Sequence, residues 1–162
     1  MLYNIFKFLL KMIQKYYFKK LDQLISKTMN TYGTLFLRYS VATIFIWFGL
    51  LKPLGLSPAQ ELVANTVYWF DDKIGFVKFL GWWEVAIGLS MCYKPLIRVS
   101  IFLLFIQMPG TFLPLVLLPD VCFTRFPFGL TLEGQYIVKN LIIISSALVI
   151  GGTLSDYKVK RS

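Results

Sequence analysis

Four long apolar stretches separated by short polar connections dominate the chain, and each has the length of a helix that crosses a bilayer. The clearest is Val99 to Pro119, 21 residues without a charge. At 1.5 Å per residue that run covers a hydrocarbon core of about 30 Å. A first span is predicted at residues 35–51, with Arg38 near its start, 13 uncharged residues from Tyr39 to Leu51, and the Lys52-Pro53-Leu54-Gly55 breaker behind it. A second span at 74–91 contains Lys78 and Glu84 and is the least hydrophobic of the set. The third extends over 96–118, and the fourth over 136–154 with Lys139 near its start. Water is absent from the membrane interior, so each backbone amide must be satisfied within its own segment, which enforces helices. The expected fold is therefore all-α, a polytopic bundle of four transmembrane helices occupying residues 31–155.

Residues 1–30 follow a different period. Lys7, Lys11, Lys15 and Lys19 recur every four residues and form one stripe on a helix, with Ile5, Phe6, Leu9, Ile13, Tyr17, Leu21 and Leu24 on the other side. This pattern predicts an amphipathic helix lying in the membrane interface. A lysine at each turn, with no small-residue cleavage site, sets it apart from a secretory signal peptide. Residues 56–73 read as a loop carrying a short surface helix, with Tyr68, Trp69 and Phe70 as interfacial aromatics, and residues 120–135 as a second loop.

Charge then orients the spans. Six lysines lie in the N-terminal segment, Lys94 and Arg98 at the central turn, and Lys158, Lys160 and Arg161 in the basic tail of residues 156–162, whereas the two longer loops are near neutral or acidic. The positive-inside rule gives both termini on the cytoplasmic side, as in a multi-pass protein of the bacterial inner membrane. A net charge of +9 could otherwise suggest nucleic acid, but 57% of residues are hydrophobic and no soluble domain is left to present a basic face. The basic residues are instead matched to the lipid bilayer. With no histidine and two distant cysteines, Cys92 and Cys122, the chain cannot assemble the usual zinc, haem or iron–sulfur ligand sets, a CxxC pair or a disulfide. No metal or covalent cofactor is expected.

The residues that could carry chemistry lie inside the spans. Glu84 is about ten residues into its helix, near the midplane, where an acidic side chain costs about 2.5–3.5 kcal/mol unless a partner or proton offsets it. Arg38 and Lys139 are the expected partners, each about two helical turns from it in depth. Two readings stand side by side: a proton-carrying or ligand-contacting acid, and a helix-locking ion pair. Gln107 is expected either to face the same cavity, with Met108, Trp82 and Trp83 around it, or to serve as interhelical hydrogen-bonding glue. Gly49, Gly81 and Gly88 predict close packing of the first two spans, with Gly151 and Gly152 as further small positions. Pro109 and Gly110, with Pro114, predict a kink or break in the third. Ser145 and Ser146 are expected to bond to their own helix backbone.

Several of these residues fall into one order: Arg38, Phe48-Gly49 and Lys52, then Gly81, Glu84 and Gly88, then Leu132-Glu133-Gly134-Gln135-Tyr136 leading to Lys139-Asn140. In this arrangement the chain, from Leu35 to Leu154, resembles the DoxX-like four-helix membrane proteins, including the RclC-like branch of unknown function. The resemblance implies a small membrane subunit in redox or stress physiology, with a quinone as the implied cofactor and a cytoplasmic or membrane redox partner. The leading expectation is an accessory, quinone-interacting subunit without self-contained catalysis. A small-solute or proton transporter gated at Pro109-Gly110 and a structural anchor recruiting a partner through residues 1–27 stand as alternatives, and a homo-oligomer is compatible with all three.

Overall fold

The structure is a computed structural model that describes the backbone of residues 2–159 and the side chains of residues 14–154. The described residues form seven α-helices in the order α1 (Leu2–Leu51), α2 (Gln60–Thr66), α3 (Lys73–Cys92), α4 (Ile97–Leu117), α5 (Pro119–Cys122), α6 (Leu132–Val138) and α7 (Asn140–Val159). A single 3-10 turn, Lys94–Leu96, joins α3 to α4, and two short antiparallel strands, β1 (Phe123–Arg125) and β2 (Gly129–Leu130), form a hairpin before α6. Among the described residues, four helical stretches are long and apolar enough to cross a membrane: Gln14–Leu51, Lys73–Cys92, Lys94–Leu117 and Leu132–Leu154. The chain is a multi-pass membrane protein with an all-α bundle. Its second span is the least hydrophobic, as the sequence indicates.

Each boundary has a local cause. Helix α1 ends where Lys52 is followed by Pro53, since proline disfavours the helical conformation of the residue before it. Gly55, at φ 71°, adopts the left-handed conformation that lets the chain turn away. Asp72 caps α3 by accepting a hydrogen bond from the Gly75 amide at 2.8 Å, and Thr131 caps α6 in the same way through Gly134. That second cap starts the fourth span at Leu132, four residues before the position expected from hydropathy. Lys139 is the one residue between α6 and α7, and its amide still bonds to Gln135.

One expectation changes and another narrows. Residues 1–30 are not a separate helix: α1 passes through Lys27 to Thr34 without interruption. No proline precedes Pro53, and Thr28 and Thr31 bond back to the Leu24 and Lys27 carbonyls instead of capping a new start. Helix α4 continues across Pro109, Gly110 and Pro114, so of the expected kink or break the break is absent. Proline removes one backbone bond and crowds the carbonyl four residues back, and neighbouring membrane helices allow the segment to remain helical through it.

The chain divides into two compact units, residues 1–36 and 37–162. In the first, Lys15 and Lys19 are exposed one turn apart; Lys7 and Lys11 lie outside the residues whose side chains are described, as does the basic tail. In the second, α1, α3, α4 and α7 each contribute to one core: Val41, Ala42 and Phe45; Ile87 and Met91; Ile97, Leu104 and Met108; Ala147 and Ile150. The outward surface of the spans is apolar too, with Trp47, Phe102, Val116 and Leu148 exposed for contact with lipid.

Candidate functional site: a buried ion pair among three spans

Helices α1 and α3 cross at backbone contact. A Cβ on Gly49 would lie 2.8 Å from the Gly81 carbonyl oxygen, and one on Gly81 would lie 2.6 Å from that of Gly49. Further along, Gly88 faces the Ala42 carbonyl and Ile46. Residue number rises on one helix as it falls on the other, so the two are antiparallel. Only glycine allows this approach, as in small-residue packing between membrane helices generally.

The crossing sets up the charges. Lys52 lies three residues beyond Gly49 toward the end of the bundle that carries α2 and the hairpin, and Glu84 three residues beyond Gly81 toward the end that carries the Tyr93–Leu96 turn. At helical rise the two are offset by about 9 Å along the bundle. Side chains on a helix tilt toward its N-terminus. In these antiparallel helices that tilt carries Lys52 and Glu84 toward each other. Lys52 Nζ donates to Glu84 Oε2 at 2.5 Å, and Gln107 Nε2, reaching in from α4, donates to Oε1 at 2.8 Å. Both carboxylate oxygens are thus engaged. The side chains of Lys52 and Glu84 are 8% and 12% exposed, so the pair is largely removed from its surroundings.

The cluster is not closed on itself. Gln107 Oε1 is buried and has no hydrogen-bond partner. Lys52 has three donor protons and directs one of them at Glu84. The cluster therefore offers one unused acceptor and further donor capacity. Met108 is buried and Trp83 packs against the core, whereas Trp82 faces out of the bundle, so two of the three expected neighbours turn inward.

Arg38 and Lys139 are not partners of Glu84. The N-terminal tilt carries Arg38 the other way, to the turn end of the bundle, where Nη2 donates to the Cys92 carbonyl at 2.9 Å and to the Tyr39 hydroxyl at 3.2 Å. There it satisfies one of the open carbonyls at the C-terminus of α3, where the helix dipole favours a cation. Lys139 is exposed, its ammonium 4.9 Å from the ring centre of Tyr136, three residues back in α6. Lys78 is exposed as well.

Ser100 donates to the Ile87 carbonyl at 2.7 Å, tying α4 to α3, and Ser90 donates to the same carbonyl at 2.9 Å from within α3. Ser145 and Ser146 bond to Leu141 and Ile142 in their own helix, as expected. Pro109 and Gly110 are exposed, and a Cβ on Gly110 would meet no atom within 4 Å, so this pair takes no part in close packing. Cys92 and Cys122 are both free thiols. Burial raises the Cys122 pKa, and the charge of Glu133 adds to the effect. Among the described residues no group of acidic, cysteine or histidine side chains could hold a metal ion.

No protein-family model, no curated protein and no solved structure matches the chain.

Proposed function

We propose that this multi-pass protein is a DoxX-like accessory subunit of the bacterial inner membrane, with both termini in the cytoplasm, and that its Lys52–Glu84–Gln107 cluster engages the polar head of a membrane quinone. The unpartnered Gln107 Oε1 beside Lys52 carries the reading. A quinone carbonyl accepts a hydrogen bond, as from a Lys52 proton; a quinol hydroxyl donates one, as to Gln107 Oε1. A buried acceptor without a partner is costly, more so at membrane depth, so a group that satisfies it binds with that cost removed. The subunit supplies no electron carrier of its own, and electron transfer belongs to a redox partner. The basic face that includes Lys15 and Lys19 suits anionic head groups on the cytoplasmic side.

The test is the quinone content of purified protein, extracted and quantified against bound phospholipid. Wild-type protein should retain quinone. Glu84→Gln and Gln107→Leu should lose it while keeping the wild-type elution profile and helical signal. Wild-type samples that carry phospholipid alone would overturn the proposal.

A further inference from the structure

At the end of the bundle that carries α2, the connection between α4 and α6 is built as a stiff hairpin. Its neck is closed by the Thr131 amide donating to the Cys122 carbonyl at 3.0 Å and by the Thr131 hydroxyl donating to the Val121 carbonyl at 2.7 Å. Cys122 itself is fully buried, and a Cβ on Gly134 would collide with the Cys122 carbonyl, which fixes α6 against the neck. Thr124 Oγ1 bonds to the Gly129 carbonyl across the strands at 3.1 Å, and the Phe123 and Phe126 rings meet at 5.2 Å. A loop secured this thoroughly would ordinarily bury its large side chains. Here the tip does the reverse: Phe126 is 75% exposed and Phe128 92% exposed, next to an exposed Arg125.

We infer that this hairpin is a membrane-interface anchor, its Phe126 and Phe128 seated in the phospholipid head-group layer of the leaflet at that end and Arg125 paired with lipid phosphate. Three observations converge on lipid as the occupant. The hairpin follows a spanning helix through the short α5, and the last turns of that helix expose Val116 and Leu117, so the hairpin's apolar tip lies near a surface suited to lipid. A three-residue strand reaches about 10 Å at 3.3 Å per residue, and the interfacial zone on each side of the hydrocarbon is about 5–7 Å thick, so the tip need only lean to stay within it. Tyr68, Trp69 and Phe70, in the other connection at the same end, are also exposed, and aromatic side chains concentrate at this depth. The inference rests on the membrane-spanning fold and is independent of the quinone proposal.

Spin-label accessibility tests it on the full-length protein in nanodiscs of phosphatidylcholine and phosphatidylglycerol. Phe128→Cys and Phe126→Cys are labelled separately in a Cys92→Ser background; Cys122 stays unlabelled because it is buried and burial raises its thiol pKa, which disfavours the reactive thiolate. A label at Phe102→Cys marks the lipid-facing span, and the same nitroxide free in buffer marks water. The oxygen-to-nickel-chelate accessibility ratio at 128 and 126 should be several-fold above that of the free label and below that at 102. A ratio equal to that of the free label places the tip in water and overturns the inference. Protection from both reagents overturns it too, since a protein surface would then be the occupant. Both substitutions are at exposed positions, and each variant is scored only with the elution profile of the parent.

Discussion

Two seams hold this bundle together by opposite means. Between α1 and α3 the backbones come together, with main-chain atoms of the facing helix within 3 Å of where a Cβ on Gly49, Gly81 or Gly88 would lie, and a charge pair closes one end. Between α4 and α7 the contact is made by side chains: Leu104 and Met108 pack in one core with Ala147 and Ile150, and Gly151 faces only the end of Ile101. The difference reflects what each seam must accommodate. Two ionisable groups at membrane depth are tolerable only if they meet at hydrogen-bonding distance, and a backbone-to-backbone crossing fixes their spacing. An apolar seam has no such requirement, and its flexible side chains can adjust by a few tenths of an ångström.

The sharpest way to break the contrast is one methyl group on the first seam. Gly81→Ala places a Cβ 2.6 Å from the Gly49 carbonyl oxygen and 2.7 Å from Lys52 Cβ and Pro53 Cδ. Neither backbone nor proline ring can move aside without separating the helices. A loss above about 4 kcal/mol is expected, enough to abolish the ordered bundle, read as disappearance of the monodisperse peak in detergent. A folded Gly81→Ala protein with wild-type thermal stability would show that the helices do not cross at this contact.

The next effect concerns the charges. Lys52→Met should cost about 3–5 kcal/mol in denaturant titrations, because Glu84 is left deep in the bundle without its cation. Glu84→Ala should cost less, since Lys52 sits at the end of its helix and can extend its ammonium toward the head groups. Combining Lys52→Met with Glu84→Leu should recover most of the loss, an apolar pair being an adequate substitute for a buried ion pair. Additive losses in the double variant would mean that the two residues do not interact.

The spans were legible because apolar runs of spanning length have few alternative readings, and the glycines of the first seam because three of them recur along two neighbouring helices. The partner of Glu84 was not. Depth along the membrane favoured Arg38 and Lys139, while Lys52 lay outside the hydrophobic run, in a segment read as a breaker. Depth omits the N-terminal tilt of helical side chains. Once α1 and α3 are antiparallel and cross at Gly49 and Gly81, that tilt directs Lys52 toward Glu84 and Arg38 away from it. The repeated spacing Gly49-x-x-Lys52 and Gly81-x-x-Glu84 is the signal in the sequence, but it gains meaning only when the two glycines are known to face each other. The exposed hairpin tip escaped for a different reason: Phe126 and Phe128 flank a proline in a segment too short for periodicity to assign a face.

Within the second seam, Leu104→Ala removes a fully buried side chain and should cost about 2–4 kcal/mol, the ordinary cost of a core cavity, with the bundle still assembled. The smallest effect is expected from the same glycine-to-alanine change that destroys the first seam. A Cβ on Gly151 would meet Ile101 Cδ1 at 3.3 Å and nothing closer, and that atom is the free end of a flexible side chain. Against this slight crowding, alanine in a helix interior is favoured over glycine by about 0.8–1.0 kcal/mol in water. The two terms nearly cancel, and Gly151→Ala should change the midpoint of unfolding little, with a small gain more consistent with the geometry than a loss. If Gly151→Ala destabilised as severely as Gly81→Ala, α4 and α7 would also have to meet at their backbones, and the division between a rigid charged seam and an adaptable apolar one would fail.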